Sequence, residues 1–264
     1  MKRHLPAMGM EERVAAQRVT FEGNLPREES VAVEEPLEIQ VNGQPWVTTM
    51  RTPGQDRELA IGMLFTEGLF SDIVDIESID VEDNVALIEG QISIEGHTRG
   101  FVRSSSCGVC GKASLDSILA RHPPAISHDG FEIAGGATES LLTRLRSEQT
   151  IFDSTGGVHA VALFTETAEI TDLAEDVGRH NAMDKIIGRT IDDIPLSNHG
   201  FLLSGRVSFE MVQKAVMASS PCIVAIGAPT TLAIELARQH GITLIGFARD
   251  CRFNVYTGAW RLEE

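Results

Sequence analysis

The passage Cys222-Ile223-Val224-Ala225-Ile226-Gly227-Ala228-Pro229-Thr230 leads into Thr231-Leu232-Ala233-Ile234-Glu235-Leu236-Ala237-Arg238-Gln239 and, past Gly241, into Ile242-Thr243-Leu244-Ile245-Gly246-Phe247. The first and last runs are short, apolar and bounded by turn residues, as strands are. The middle run spaces its apolar residues at helical intervals and stops at a glycine. A strand, a helix and a strand in that order predict a parallel crossover. Strands that are apolar throughout, rather than alternating, suit a sheet covered on both faces.

The pattern extends in both directions. Upstream, Phe201-Leu202-Leu203 reads as a strand and Phe209 to Met217 as a helix. Arg179 to Ile187 reads as a helix, and Val158 to Phe164 as a strand with Glu169 to Leu173 beside it. A helix over Glu139 to Glu148 has Thr138 as its N-cap. Residues 138–264 are therefore expected to form an α/β domain on a mixed, mostly parallel sheet. Residues 125–137 read as irregular, and His122-Pro123-Pro124 stops a helix over Ala113 to Ala120.

The N-terminal part has a different texture. Leu37 to Val41, the Asn42-Gly43 turn and Trp46 to Thr49 predict a hairpin. Beyond Thr52-Pro53-Gly54, a helix starts at Asp56, carries Leu59, Ala60, Met63 and Leu64 on one face, and ends near Gly68. Short alternating runs follow at Ile76 to Val81, Val85 to Ile88, Gln91 to Ile94 and Phe101-Val102. The chain thus divides into a mobile polar arm over 1–18, a β-rich domain with one helix over 19–103, a loop, helix and linker over 104–137, and the α/β domain over 138–264. The whole is α/β in the broad sense, α+β when both parts are counted.

Composition narrows the function classes. The 264 residues carry 22 Lys and Arg against 38 Asp and Glu, a net charge of −16. Such a surface argues against nucleic acid as a partner, because phosphate neutralisation needs clustered cations. Met1-Lys2-Arg3-His4 is basic, but no apolar segment follows to make a secretory signal. No run of about 18 apolar residues predicts a membrane span. Four cysteines are too few for a disulfide scaffold and fit a reducing cytoplasm.

Two of those cysteines stand together in Ser104-Ser105-Ser106-Cys107-Gly108-Val109-Cys110-Gly111-Lys112. The segment lacks apolar periodicity and reads as a loop whose small residues leave both sulfurs accessible. Lys112 favours a thiolate, the form that attacks electrophiles and binds metals. A zinc site needs four ligands, usually as two paired motifs. Cys222 and Cys251 stand apart, so zinc is disfavoured and no metal is expected. A redox pair opening a helix near Lys112 and a chance pair of small residues in a loop both remain open.

In open α/β sheets, ligands bind beyond the carboxyl ends of the parallel strands. The expected ends are Ser204-Gly205-Arg206, Gly227 to Thr230 and Phe247-Ala248-Arg249-Asp250-Cys251-Arg252. Two of them precede helices, whose first N–H groups attract anions. Arg206, Arg249 and Arg252 add forked donors suited to phosphate. A phosphorylated or nucleotide-like ligand follows, with pairing to the many carboxylates as the competing use of these arginines. Two polar segments, Phe152 to His159 and Glu175 to Lys185, stand where strand-to-helix joints are expected. The second collects Asp176, Arg179, His180 and Asp184 within about two turns at a helix start, with Asp184 one turn beyond His180.

Taken together, the cysteine motif, Asp153-Ser-Thr-Gly-Gly-Val-His159, Glu175-Asp-Val-Gly-Arg179-His180-Asn-Ala-Met-Asp184-Lys185, Ser204-Gly-Arg206-Val-Ser and Gly246-Phe-Ala-Arg249 resemble the FdhD family, in the family's order and over roughly residues 30 to 260. The resemblance implies a sulfur carrier required for formate dehydrogenase activity. It implies that sulfur arrives from a cysteine desulfurase as a persulfide on Cys107, with Cys110 as its partner. The sulfur then passes to the molybdenum bis-guanine-dinucleotide cofactor. The resemblance further implies a cytidine-deaminase-like C-terminal domain that holds the dinucleotide, including the segment Phe247, Ala248, Arg249, Asp250, Cys251 and Arg252, and a homodimer. On both grounds Ser204, Arg206, His159 and His180 are candidate cofactor contacts. A thiol–disulfide oxidoreductase and a cofactor chaperone without sulfur chemistry are the rival functions.

The deaminase likeness raises zinc-dependent deamination as another rival. That chemistry uses H-x-E and a later P-C-x-x-C. Here His159-Ala160-Val161 has Val where the Glu belongs, and Pro221-Cys222-Ile223-Val224-Ala225 has Ala where the second Cys belongs. Deamination is disfavoured, and Cys222 reads as a buried structural thiol.

Overall fold

The structure is a computed structural model and describes residues 9–95, 102–103, 126–127, 130–134, 136–249 and 252–263. Cys107, Cys110, Asp250, Cys251 and the helix expected over 113–120 lie outside the described residues.

The first two strands, β1 (Glu11–Thr20) and β2 (Gly23–Ala32), form an antiparallel ribbon. The mobile arm expected over 1–18 is thus corrected from Glu11 onward. Both faces of the ribbon carry charges and stay largely exposed, so no amphipathic pattern marked it. Next come β3 (Glu35–Val41) and β4 (Gln44–Arg51), the predicted hairpin. Its turn residues Asn42 and Gly43 both have positive φ, 50° and 72°, the conformation that favours Asn-Gly between strands. Helix α1 (Asp56–Thr66) follows, then β5 (Ile76–Glu82), β6 (Val85–Gly90) and the short β7 (Val102–Arg103). These strands make one sheet in the order β5-β6-β3-β4-β7. The strand expected over Gln91 to Ile94 does not form. Gln91 N–H instead donates to Asp75 O at 2.7 Å, and the Asn42 amide donates to Ile92 O at 2.9 Å.

In the second part, α2 (Ala137–Glu148) and α3 (Thr150–Thr155) precede β8 (His159–Thr165) and β9 (Ile170–Asp176). Thr138 lies inside α2 and is buried, and Gly136 occupies the cap position instead. Then follow α4 (Arg179–Arg189), β10 (His199–Leu203), α5 (Phe209–Met217), β11 (Cys222–Ala225), α6 (Thr231–Gln239), β12 (Thr243–Arg249) and β13 (Arg252–Thr257). The sheet order is β13-β12-β11-β10-β8-β9. Strands β10, β11 and β12 are parallel and central; β8, β9 and β13 join antiparallel at the flanks. The sheet is mixed as expected, with its parallel part confined to the middle.

Both faces of this sheet are covered. Val161, Leu163, Phe201, Leu203, Ile223 and Leu244 point into one apolar core, and Ala160, Phe164, Leu202, Val224 and Ile245 into another. The period of two in these lists is the pleat of the strands. The larger core continues into Leu37, Ile39, Leu59, Met63 and Ile88 of the first part. Helices α1 and α4 meet backbone to backbone there. A Cβ on Gly62 would fall 1.9 Å from Asp184 O, and one on Gly188 would fall 1.9 Å from Glu58 O. Among the described residues no helix is long and apolar enough to cross a membrane.

Candidate functional site

Strands β9, β10, β11 and β12 all end on one edge of the six-stranded sheet, where antiparallel β8 begins. Helices α4, α5 and α6 each start just beyond this edge, so three helix N-termini face it. On α6, the Thr230 hydroxyl accepts from Ala233 N–H. Gly178 and Ser208 give α4 and α5 no side-chain cap, which leaves first-turn N–H donors available to an anion.

Glycines let the strand-end loops close on one another. Gly227 N–H donates to Gly205 O at 3.1 Å, and Phe247 N–H donates to Gly227 O at 3.2 Å. A Cβ on Gly227 would lie 2.6 Å from Gly205 O and 2.7 Å from the Arg206 backbone. A Cβ on Gly205 would lie 3.3 Å from His159 Nδ1 and 3.7 Å from Arg179 Cδ. Glycine at 205 therefore permits the imidazole and the arginine stem to lie against the backbone.

His159, Arg179, His180 and Arg206 come together at this edge. Burial depresses the His159 pKa, and the nearby charges of Arg179, His180 and Arg206 depress it further against an opposing pull from Asp176. His159 is accordingly a neutral imidazole at pH 7. Burial and then Arg206 lower the Arg179 pKa, with Glu210 opposing. Arg179 remains a cation at any ordinary pH. Its Nε is buried and has no hydrogen-bond partner among the described residues. Two guanidiniums that repel each other in a chain of net charge −16 make a local site for an anion.

His180 Nε2 lies 2.8 Å from Glu210 Oε2 and 3.3 Å from Ser208 Oγ. Both partners meet the same ring nitrogen, so the three do not form a nucleophile–base–acid relay, which needs both nitrogens. Ser204 serves the scaffold, its hydroxyl accepting from Ala160 N–H at 2.9 Å where β8 meets β10.

The rest of the Glu175–Lys185 motif also proves structural. Glu175 accepts from Ile151 and Phe152 N–H at the start of α3. Asp176, fully buried, pairs with Lys185 at 2.8 Å and accepts from Thr52 N–H. Asn181 donates to Met50 O at 2.8 Å. Asp184 lies one turn beyond His180 and binds Lys214 and Thr66 inside the core. The first polar segment is a helix-to-strand joint rather than the reverse. Gly156, at φ 66°, closes α3 before β8.

Beside this cluster, a cleft of about 660 Å³ is lined by Leu142, Arg146, Asp153, Ile226, Ala248 and Arg249. It joins α2 and α3 to the ends of β11 and β12. Ala248 is buried, whereas Arg249 and Arg252 are exposed and face each other across β12 and β13. Phe247 has a φ of 54° and leaves its ring 38% exposed beside the bulge in β12. A positive φ at a bulky residue is strained and holds when surrounding contacts impose it. Cys222 is fully buried, and burial pushes its thiol pKa far above the ordinary value; it is inert. Among the described residues no three His, Cys, Asp or Glu side chains are placed to share a metal ion.

The structure thus brings His159, His180 and Arg206 together, places Phe247, Ala248 and Arg249 along the same edge, and gives Ser204 to the scaffold. Arg179 and Glu210 complete the cluster and were not among the candidates. Arg179 stood inside a quoted motif, next to His180. Glu210 carried no signal, because its approach depends on how α5 packs against α4.

Comparison with known proteins agrees with this architecture. A model of the FdhD/NarQ family matches residues 32–263. The sulfur carrier protein FdhD of Streptomyces coelicolor is 44% identical over 257 residues, covering 89% of this chain and 90% of that protein. The one from Sulfolobus acidocaldarius is 44% identical over 242 residues, covering 89% and 92%. A crystal structure from Desulfotalea psychrophila, of a proposed formate dehydrogenase accessory protein, has the same fold. It superposes with a TM-score of 0.78 at 23% identity over 96% of this chain and all of that one.

Proposed function

The chain belongs to the FdhD/NarQ family, and from that membership we propose that it is a sulfur carrier of the cytoplasm that serves formate dehydrogenase. The Cys107 thiolate attacks the outer sulfur of a persulfide on a cysteine desulfurase. The donor's S–S bond breaks, the donor cysteine leaves as thiolate, and Cys107 holds the sulfur with no net oxidation or reduction. The sulfur is delivered to the molybdenum bis-guanine-dinucleotide cofactor, which is a client of this protein rather than a resident group. Cys110 is the partner thiol, and the protein works as a homodimer.

The observation that carries the cofactor half of this reading is the Arg179–Arg206 pair, set with neutral His159 before the uncapped starts of α4 and α5. Such an arrangement suits the diphosphate of a dinucleotide. The exposed Phe247 ring offers a face on which a base stacks, and Arg249 extends the cationic rim. The names of the 40–44% identical relatives support the carrier half.

Mass spectrometry after incubation with a cysteine desulfurase and cysteine tests the carrier role. The expected result is a reductant-sensitive gain of one sulfur, about 32 Da, on the Cys107 peptide, because a persulfide is a reversible cysteine cap. No gain, with the desulfurase active on another acceptor, overturns it. A second reading, a chaperone that binds and delivers the cofactor without carrying sulfur, draws on the same anion-collecting edge. It requires that Cys107→Ala leave formate dehydrogenase activation intact.

A further inference from the structure

The β1–β2 ribbon has no place in the site described above, and most of it lies outside residues 32–263, where the family model matches. Its strands pair over 10 residues each, a length of about 33 Å. Two-stranded ribbons are marginal in water on their own. This one projects with Val19, Phe21 and Leu25 exposed at its tip, and Met10 and Val31 exposed at its base.

The two edges of the ribbon differ. β2 carries Pro26, which cannot donate to another strand. β1 has no proline, has Val14, Ala15 and Ala16 at its centre, and among the described residues pairs with no strand except β2. A long edge without such protection is a template for strand pairing. The hairpin closes with a two-residue turn between Thr20 and Gly23. Alternate residues Glu11, Arg13, Ala15, Gln17 and Val19 therefore direct N–H and C=O outward.

The geometry points to a second copy of this chain as the occupant, its β1 laid antiparallel against this β1 about a two-fold axis at Ala15. That register joins outward-facing residues to outward-facing residues, as a ladder requires. It sets Glu12 opposite Arg18 twice and opposes no like charges. It also carries each tip to the other copy's base, so that Thr20 and Phe21 come against Met10 and Gly9 and apolar surface is covered at both ends. The contact is isologous and closed. The base of the ribbon adjoins the turn into β8, where a Cβ on Gly157 would lie 3.4 Å from Ala32 Cβ. The tip of each copy thereby comes near the other's turn into β8. This inference deepens the homodimer of the proposed function by naming its surface.

Sedimentation equilibrium of the full chain tests it. The expected result is a dimer for the native chain and a monomer for Ala15→Pro, which removes an outward N–H and leaves the β1–β2 ladder intact. The thermal midpoint of the body should not change. Glu12→Arg and Arg18→Glu are each expected to weaken dimerisation about tenfold or more, since two symmetry-related pairs turn from attraction to repulsion; the double swap restores it. A dimer indifferent to all four variants overturns the ribbon surface and leaves the homodimer standing. A native chain that stays monomeric overturns both and leaves the edge to a strand of another protein.

Discussion

The Lys214 ammonium lies 2.6 and 2.8 Å from the two carboxylate oxygens of Asp184, inside the core, and also donates to Thr66 Oγ1 at 2.8 Å. One ion pair of the C-terminal part is thus tied to a helix of the N-terminal part. Removing Lys214 leaves the Asp184 carboxylate buried without that cation. Lys214→Met should lower the unfolding free energy by roughly 3–5 kcal/mol. Lys214→Met with Asp184→Leu should recover most of that loss. Urea denaturation of the single and double variants makes the comparison; equal losses in both would assign the effect to packing instead.

Gly62 faces Asp184 O with no room for a methyl group. Gly62→Ala should force α1 and α4 apart and cost roughly 1–3 kcal/mol or more. This outweighs the fraction of a kcal/mol that alanine contributes as a better helix former. A thermal midpoint equal to or above that of the native chain would contradict the backbone contact.

Guanosine diphosphate serves as a probe for the anion edge. Arg179→Ala and Arg206→Ala should each weaken its binding about 10- to 100-fold, the loss of a charge-assisted contact. Arg206 is exposed, so its substitution should leave the thermal midpoint in place. Calorimetric titration reads both variants, and undiminished affinity in the pair would remove the diphosphate from this edge.

His159, His199 and His240 all have pKa values depressed by burial from the ordinary 6.5. The unfolded chain therefore binds more protons than the folded one between the folded values and about 6.5. Stability is fully present above 6.5 and is lost as pH falls through the folded values. The midpoint of urea unfolding should drop from pH 7 towards pH 5, and less steeply in His159→Gln. A bound sulfate, which keeps its charge across this range, raises the His159 pKa, so sulfate should bind more tightly as pH falls through that same range. A pH-independent affinity would separate His159 from the anion.

The strands β10, β11 and β12 were legible because burial on both faces leaves their sequences apolar throughout. β13 was not. Arg252 to Thr257 forms an edge with five of its six residues partly or fully in solvent, and its composition resembles a loop. β1 was missed for the same reason in stronger form, since a ribbon without a buried face has no hydrophobic period. The site was half legible. His159, His180 and Arg206 stand beside glycines at strand ends, where a polar residue has little structural reason to be. Asp176, Asp184 and Lys185 looked equally chemical, and only their complete burial against the other part of the chain shows that they are scaffold. The wall that α2 gives to the cleft could not be anticipated, because Arg146 and Arg249 are separated by about a hundred residues of sequence.

Glycines 62 and 188 bear on how the protein can be taken apart. Helices that touch backbone to backbone leave each part of the chain with a trench shaped only for the other, floored by Asp184, Lys185 and Lys214 on one side and roofed by Thr52 and Thr66 on the other. Expressed separately, each fragment would lose the hydrogen bonds that Thr52 and Thr66 make across the parts and would present bare leucines to water. The chain thus behaves as a single inheritance unit, and recombination that exchanges one part between distant relatives must carry the matching trench with it.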